Sequence, residues 1–339
     1  MKVRLILSVL LGVVCLWLAV RGIDFKEFLS AFETVHWGPV FWLLPMLVLT
    51  FYFRARRMRV ILRPAREIRH GELFGINAVG FMAIIAFPLR LGELVRPLLL
   101  RRRQNVPFST GLASIAVERL FDGLATLLML LIGLLGIPAG SHEIPYLGIS
   151  ARTMALTFAA ILLPILVLVI VAVLLKGPFL RASGKILRFL PGELGRKVGS
   201  GLENFVVGLE CLPNFGVFLR LFLESAGVWG AVIIAYEILL TAFGLDLPWT
   251  APFLVLGIAC VGISIPAAPG SVGTYQLFVQ GALAIYGISK PVGLAYSVVA
   301  HAANLLYIGV VGALYLPRMA TGFGSLYTDV LDRKEKGGS

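Results

Sequence analysis

The run Phe87-Pro88-Leu89-Arg90-Leu91-Gly92-Glu93-Leu94-Val95-Arg96-Pro97, with Glu118-Arg119-Leu120-Phe121-Asp122 in the apolar segment after it, decides how the chain is drawn. Arg90, Glu93, Arg96, Glu118, Arg119 and Asp122 all lie in or beside segments apolar enough to enter a bilayer. An ionised side chain at that depth costs roughly 2.5–3.5 kcal/mol on insertion scales unless it is paired or wetted. Charges kept there line a path or a site, or they lock helices together.

Composition sets the class. Of 339 residues, 58% are hydrophobic and 14% charged, whereas a soluble domain is about 45–50% apolar and about 25% charged. The mean hydropathy of +0.92 agrees. The chain reads as an all-α polytopic membrane protein. Its net charge of +12 fits a cytoplasmic membrane face carrying anionic lipids better than a nucleic-acid partner. Cys15, Cys211 and Cys260 stand apart in sequence and suggest packing residues, not a disulfide framework or metal set.

Leu5–Val20 reads as a retained first span, because no small-x-small cleavage site follows it. Pro39–Phe53 is a second span. The block Arg54, Arg56, Arg57, Arg59, Arg63, Arg66 and Arg69 then belongs in the cytoplasm by the positive-inside rule, which puts the N-terminus there too. Leu73–Phe87 is short for a span, which needs about 20 residues, and Arg101-Arg102-Arg103 beyond it returns to the basic side. Residues 73–99 are therefore drawn as a re-entrant helical hairpin, broken at Pro88 and Gly92. Thr110–Gly136, Ala151–Leu175, Val217–Phe243 and Pro291–Leu316 complete about six full spans. Residues 251–284 contain Pro266-Ala-Ala-Pro269-Gly270-Ser-Val-Gly273 and form a second hairpin, entering from outside. Residues 176–213 read as a cytoplasmic amphipathic segment, and 318–339 as a basic cytoplasmic tail. All of this is one membrane domain, 1–339, with both termini inside.

An internal match sharpens the drawing. Residues 106–122 can be laid on 288–304, with Gly-Leu-Ala shared, Arg119 on His301 and Asp122 on Asn304. A broken hairpin precedes each copy, one from inside (73–122 with its span) and one from outside (251–316). That is the pattern of an inverted-topology repeat.

Arg90-x-Gly92-Glu93, then Glu118-Arg119-x-x-Asp122, then Pro269-Gly270-x-x-Gly273 resemble the flippase-like family. This is the transmembrane region of lysylphosphatidylglycerol synthases, found also in stand-alone bacterial and archaeal membrane proteins. The resemblance covers nearly the whole chain. It implies a region that moves an aminoacylated lipid between leaflets while a separate soluble domain makes it. With a short basic tail to Ser339, the expectation is the stand-alone form, without the synthase domain. Many members carry a glutamate where this chain has Gln276, so a carboxylate role does not carry over to that position.

On a helix, Glu118 and Asp122 share a face and Arg119 is i,i+3 from Asp122. An Arg119–Asp122 pair leaves Glu118 for Arg90 or Arg96. Arginine forks suit phosphate and stay charged in a partly dry cavity. Arg90, Arg96 and Arg119 are thus candidates for a lipid phosphate, with Glu93, Glu118 and Asp122 balancing them or meeting a cationic headgroup. Gln276, His301 and Asn304 are candidate headgroup hydrogen bonders, and Pro88, Gly92, Pro269, Gly270 and Gly273 shape the hairpins. The same charges without a ligand make a buried ion-pair network fastening hairpin to span. Three functions compete: a transporter of an anionic or modified lipid across the cytoplasmic membrane, an intramembrane lipid-modifying enzyme using Glu118 or Asp122 as base, and an accessory subunit of an envelope-lipid pathway. No metal cluster, P-loop or nucleophile motif favours the enzyme, and no cofactor is expected. A second copy and a lipid-synthesis protein stay open as partners.

Overall fold

Apolar runs punctuated by glycine, proline and asparagine become helices whose ends that punctuation sets. The computed structural model describes residues 2–87, 92–137, 143–144, 147–187, 192, 195, 199, 214–265 and 268–319. Pro88, Arg90, Cys211, most of the segment 176–213 and nearly all of the tail 318–339 lie outside the described residues. In order come α1 (Lys2–Val20), α2 (Phe25–Glu33), α3 (Trp37–Val40), α4 (Leu43–Leu62), α5 (His70–Ala86), α6 (Val95–Gln104) and α7 (Phe108–Leu134). A two-stranded antiparallel ladder, β1 (Glu143–Ile144) and β2 (Ile149–Ser150), pairs Glu143 with Ser150. Then follow α8 (Ala151–Leu174), α9 (Lys176–Leu187), α10 (Phe215–Ala242), α11 (Ala251–Ser264), α12 (Thr274–Ala284) and α13 (Lys290–Tyr315).

Local chemistry explains the boundaries. Asp24, Ser150 and Asn214 cap α2, α8 and α10, each side-chain oxygen accepting from an amide of the first turn, which satisfies donors a helix start leaves unpaired. Asn105 ends α6 in the left-handed conformation at φ 53°, one that asparagine tolerates better than most residues.

Among the described residues, four helices are long and apolar enough to cross a membrane: 37–62, 151–169, α10 and α13. The bent pair Leu7–Val20 and Phe25–Glu33, at 82°, makes a fifth if taken as one span. This is a polytopic helical membrane protein. The expected count of about six differs by α7. At 27 residues it is about 40 Å long at about 1.5 Å per residue, but it holds Glu118, Arg119 and Asp122. Large apolar side chains face outward along α8, with Leu156, Leu163, Val167 and Leu168 exposed. An outward apolar surface suits lipid where it would not suit water.

The two short apolar helices, α5 and α11, are each followed by a break and a second short helix. Between α5 and α6 a single 3-10 turn covers residues 92–94, and between α11 and α12 another covers Pro269–Ser271. Gly270 and Gly273 take φ of 65° and 92° there, a region nearly closed to residues with a Cβ. Gly92 is required for another reason: it lies on the Ala83 backbone, leaving no space for a Cβ. α6 packs on α7 and α12 on α13, while α11 packs on α7 and α13 on α5. The α7 and α13 starts, Phe108 and Lys290, are 182 residues apart, as are the left-handed residues Asn105 and Gly287. The main core lies among α7, α10, α11, α12 and α13, with Leu130, Leu254, Leu283 and Tyr296 fully buried.

Gly92→Ala adds only the Cβ that Ala83 excludes. It is expected to destabilise the protein by about 1–3 kcal/mol, the usual cost of overpacking. Gly71→Ala, with nothing within 4 Å, should leave thermal unfolding in detergent unchanged or slightly raised. Equal melting of the two variants would contradict the close approach.

Candidate functional site

The sequence reading ended the second span at Phe53 and sent the arginines after it to the cytoplasm. The helix itself does not stop there: α4 continues to Leu62. Thr50, Arg54, Arg57 and Ile61 therefore fall on one helical stripe at i, i+4, i+7 and i+11. Arg57 on that stripe is completely buried.

A buried cation needs a counter-charge, and Asp122 on α7 supplies it. Arg57 Nη1 donates to Asp122 Oδ1 at 2.8 Å and to Ser225 Oγ at 3.2 Å. Trp229 Nε1 donates to the same carboxylate oxygen at 3.2 Å. Arg119 Nη2 stands 3.2 Å from Asp122 Oδ2, without the alignment of a hydrogen bond. One carboxylate thus gathers α4, α7 and α10. The expected Arg119–Asp122 pair is present, but Arg57 is the closer partner.

Glu118 pairs with Arg96, one of the two partners the sequence allowed. Arg96 Nη1 is 2.6 Å from Glu118 Oε2 and 3.2 Å from Asn77 Oδ1. Both side chains are almost wholly buried, and Arg96 crosses α5 over Gly80, where a Cβ would collide with it. Phe81 meets two guanidiniums, with Arg54 4.5 Å and Arg96 5.0 Å from its ring centre. Ring quadrupoles favour that placement of cations.

A cavity of about 540 Å³ opens beside this network. Arg54, Glu93, Arg119 and Asp122 reach it from one side, and Gly270, Ser271, Tyr275, His301 and Asn304 from the other. The rest of its wall is mostly apolar, from α4, α8, α10 and α11. Ile161 and Ile165 line it on α8 yet stay 60% and 50% exposed, so the cavity opens sideways toward the lipid-facing surface.

On the neutral side, Gln276 Oε1 accepts from the Gly273 amide at 2.8 Å. That orients its Nε2 as donor to His301 Nδ1 at 3.0 Å. His301 stacks on Tyr275 at 4.3 Å, and the Tyr275 hydroxyl meets that of Tyr236 at 2.6 Å. Gln276 is therefore a brace under the second hairpin's turn, behind the cavity wall.

Of the candidates read from sequence, Glu93, Arg119, Asp122, His301 and Asn304 face one cavity. Arg96, Glu118 and Gln276 lie outside it and bond to other parts of the chain. Pro269 and Gly270 line it as hairpin backbone. Sequence reasoning missed Arg54, Arg57, Trp229 and Tyr275. The arginines carried only a weak signal, their i,i+3 spacing in a stretch where arginine alternates with apolar residues as far as Leu62. Trp229 and Tyr275 carried none.

The sequence signature described as lysylphosphatidylglycerol synthase TM region matches residues 5–312. Among curated relatives, a protein named glycosyltransferase AglD from Haloferax volcanii is 27% identical over 92% of this chain and 54% of its own length. The chain thus spans about half of that relative. A UPF0104 membrane protein from Methanothermobacter thermautotrophicus is 23% identical over 68% of this chain and 69% of its own length. No solved structure matches the chain.

The Arg96–Glu118 pair lies outside the cavity, so its role should be separable from ligand binding. Glu118→Gln leaves a buried cation without its counter-charge and should cost about 3–5 kcal/mol of stability. Arg96→Met with Glu118→Leu should recover most of it. Thermal unfolding of Arg96→Met, Glu118→Leu and the double variant checks this. A double variant as unstable as the summed singles would contradict a purely mutual pairing.

Proposed function

The chain belongs to the lysylphosphatidylglycerol synthase TM region family, and from that premise we propose that it moves a phosphate-bearing membrane lipid between leaflets. The observation that carries this reading is the cavity's make-up. It is apolar on most of its wall, open sideways past α8, and fitted with the Arg54 and Arg119 guanidiniums beside Asp122. Such a chamber suits an amphiphile. Its volume lies within the roughly 300–1,000 Å³ typical of small-molecule sites, enough for a headgroup whose acyl chains trail through the side opening.

Charge selects the headgroup. Arg54 and Arg119 share the cavity wall with Asp122 and Glu93, and Arg57, buried behind that wall, takes up Asp122, which favours a phosphate over a cation. Arg119 Nε is buried without a hydrogen-bond partner, and such donors call for an acceptor. His301, Tyr275 and Asn304 on the far wall offer neutral hydrogen bonds to the remaining polar groups.

Alternating access supplies the movement. The two broken hairpins act as an inverted repeat in a six-span frame, the first entering from the basic, cytoplasmic side and the second from the other. Support comes from the equal 182-residue offsets and from the exchange in which α11 packs on α7 and α13 on α5. In repeats of this kind, one unit rocks against the other about a site near the bilayer midplane. Both termini then lie in the cytoplasm.

The enzyme reading draws on the glycosyltransferase name of one relative, of which this chain covers 54%. Asp122 would be the base, but Arg57, Trp229 and Arg119 already surround its two oxygens. That arrangement serves charge balance better than proton abstraction.

In liposomes, the protein should carry a fluorescent anionic phospholipid from one leaflet to the other. Arg54→Gln and Arg119→Gln should each slow the rate at least about tenfold, the equivalent of one charge-assisted hydrogen bond at roughly 1.5–3 kcal/mol. Folding is checked by gel filtration. Undiminished translocation in both variants would reject the cavity arginines as headgroup ligands, and release of a chemically altered lipid would favour the enzyme.

A further inference from the structure

α4 carries a second arginine stripe that the cavity does not use. Arg56, Arg59 and Arg63 follow one another at i, i+3 and i+7, on a face turned away from Arg54 and Arg57. With Arg220 of α10, they line a separate hollow of about 470 Å³, closed by Tyr52, Val60, Glu67 and His70. It sits at the basic ends of α4 and α10, where the helices meet the loop leading into α5.

Two of the four guanidiniums are held in place. Arg56 Nε donates to both oxygens of the nearly buried Glu224, at 2.9 and 3.1 Å, and its Nη1 donates to the Tyr52 hydroxyl at 3.1 Å. Arg59 Nη2 is 3.1 Å from Glu67. Among the described residues, Arg63 and Arg220 have no carboxylate partner. Four cations thus face two carboxylates, and a positive charge of about two is left for a ligand. Donors remain as well: the Tyr52 hydroxyl accepts from Arg56 and keeps its own proton to give. His70 Nε2 is buried in this wall with no hydrogen-bond partner, and the His70 ring leans on Tyr52 at 4.9 Å.

The neighbourhood indicates where the anion comes from. Leu49 and Tyr52, two turns and one turn before Arg56 on α4, are 37% and 39% exposed, and Leu223 beside Arg220 is 59% exposed. Apolar surface of the kind that meets acyl chains runs up to the rim of the hollow. We propose that this hollow is a second lipid site, outside the cavity, that holds the phosphate of an anionic phospholipid in the leaflet on the basic side. Arg63 and Arg220 grip the phosphate, Tyr52 donates to it, and the chains lie along Leu49 and Leu223. The site does not depend on the transport reading, because none of its residues lines the cavity.

The test uses the full chain in nanodiscs of mixed phosphatidylglycerol and phosphatidylcholine, followed by delipidation and native mass spectrometry. Wild type should retain one more phosphatidylglycerol than Arg63→Gln/Arg220→Gln. The double variant should bind that lipid about 30-fold less tightly, since each arginine near an anionic lipid contributes about 1 kcal/mol. Arg63→Lys/Arg220→Lys should keep most of the affinity, and millimolar inorganic phosphate should not displace the lipid. Equal retention by wild type and the glutamine variant would overturn the site. Displacement by inorganic phosphate would also overturn it, assigning the hollow to a soluble anion. If the glutamine variant does not fold, Arg54→Gln/Arg119→Gln, which lacks the cavity's own grip on phosphate, decides: at least tenfold preference for phosphatidylglycerol supports the site, and no preference overturns it. With the cavity arginines replaced, Arg54→Gln/Arg119→Gln should still retain the phosphatidylglycerol that Arg63→Gln/Arg220→Gln loses, which separates this site from the cavity.

Discussion

The Asp122 carboxylate is the constraint on which the centre of the molecule depends. It is the counter-ion of Arg57, a cation with no solvent contact, and it also receives Trp229 and neighbours Arg119. Removing one member of a buried pair typically costs about 3–5 kcal/mol, so α4, α7 and α10 are held in one arrangement by this group. The same arrangement fixes the electrostatics of the cavity. With Asp122 occupied by Arg57, Arg54 and Arg119 face the open space with Glu93 as the other carboxylate there.

The two hairpins then frame a chamber with unlike walls. On the first side, Arg96 and Glu118 neutralise each other below the surface, and Phe81 meets both Arg96 and the Arg54 that reaches the cavity. On the second side, the Gly273 amide, Gln276 and His301 form a neutral chain ending against Tyr275. A glutamine suits that position because its amide both accepts from backbone and donates to imidazole, which a carboxylate cannot do. A phosphate is accommodated at the charged wall and uncharged polar groups at the other.

The class of the protein, the two broken helix pairs and the Glu118–Asp122 motif were legible in the sequence because each rests on local rules. Apolar length, proline and glycine breaks, and i,i+4 spacing all act within a few residues. Arg57 was missed, although it is the partner of the most connected carboxylate. It lies in a run of arginines, and the positive-inside rule assigns such runs to the cytoplasm without asking where the helix ends. The rule describes Arg59, Arg63 and Arg66, which are exposed. It says nothing of which way a side chain faces, and Arg54 and Arg57 turn toward the protein interior on a helix that runs on to Leu62. Trp229 and Tyr275 were out of reach for a different reason: their roles depend on which helix lies opposite, and that is tertiary information.

The central claim is that a lipid phosphate sits in the cavity against Arg54 and Arg119. An electron cryo-microscopy structure in nanodiscs containing phosphatidylglycerol tests it most directly. The account predicts density for a phosphate within hydrogen-bonding distance of both guanidiniums, with acyl density leaving past Ile161 and Ile165. A cavity holding acyl chains alone, or a headgroup bound only elsewhere on the molecule, would contradict it.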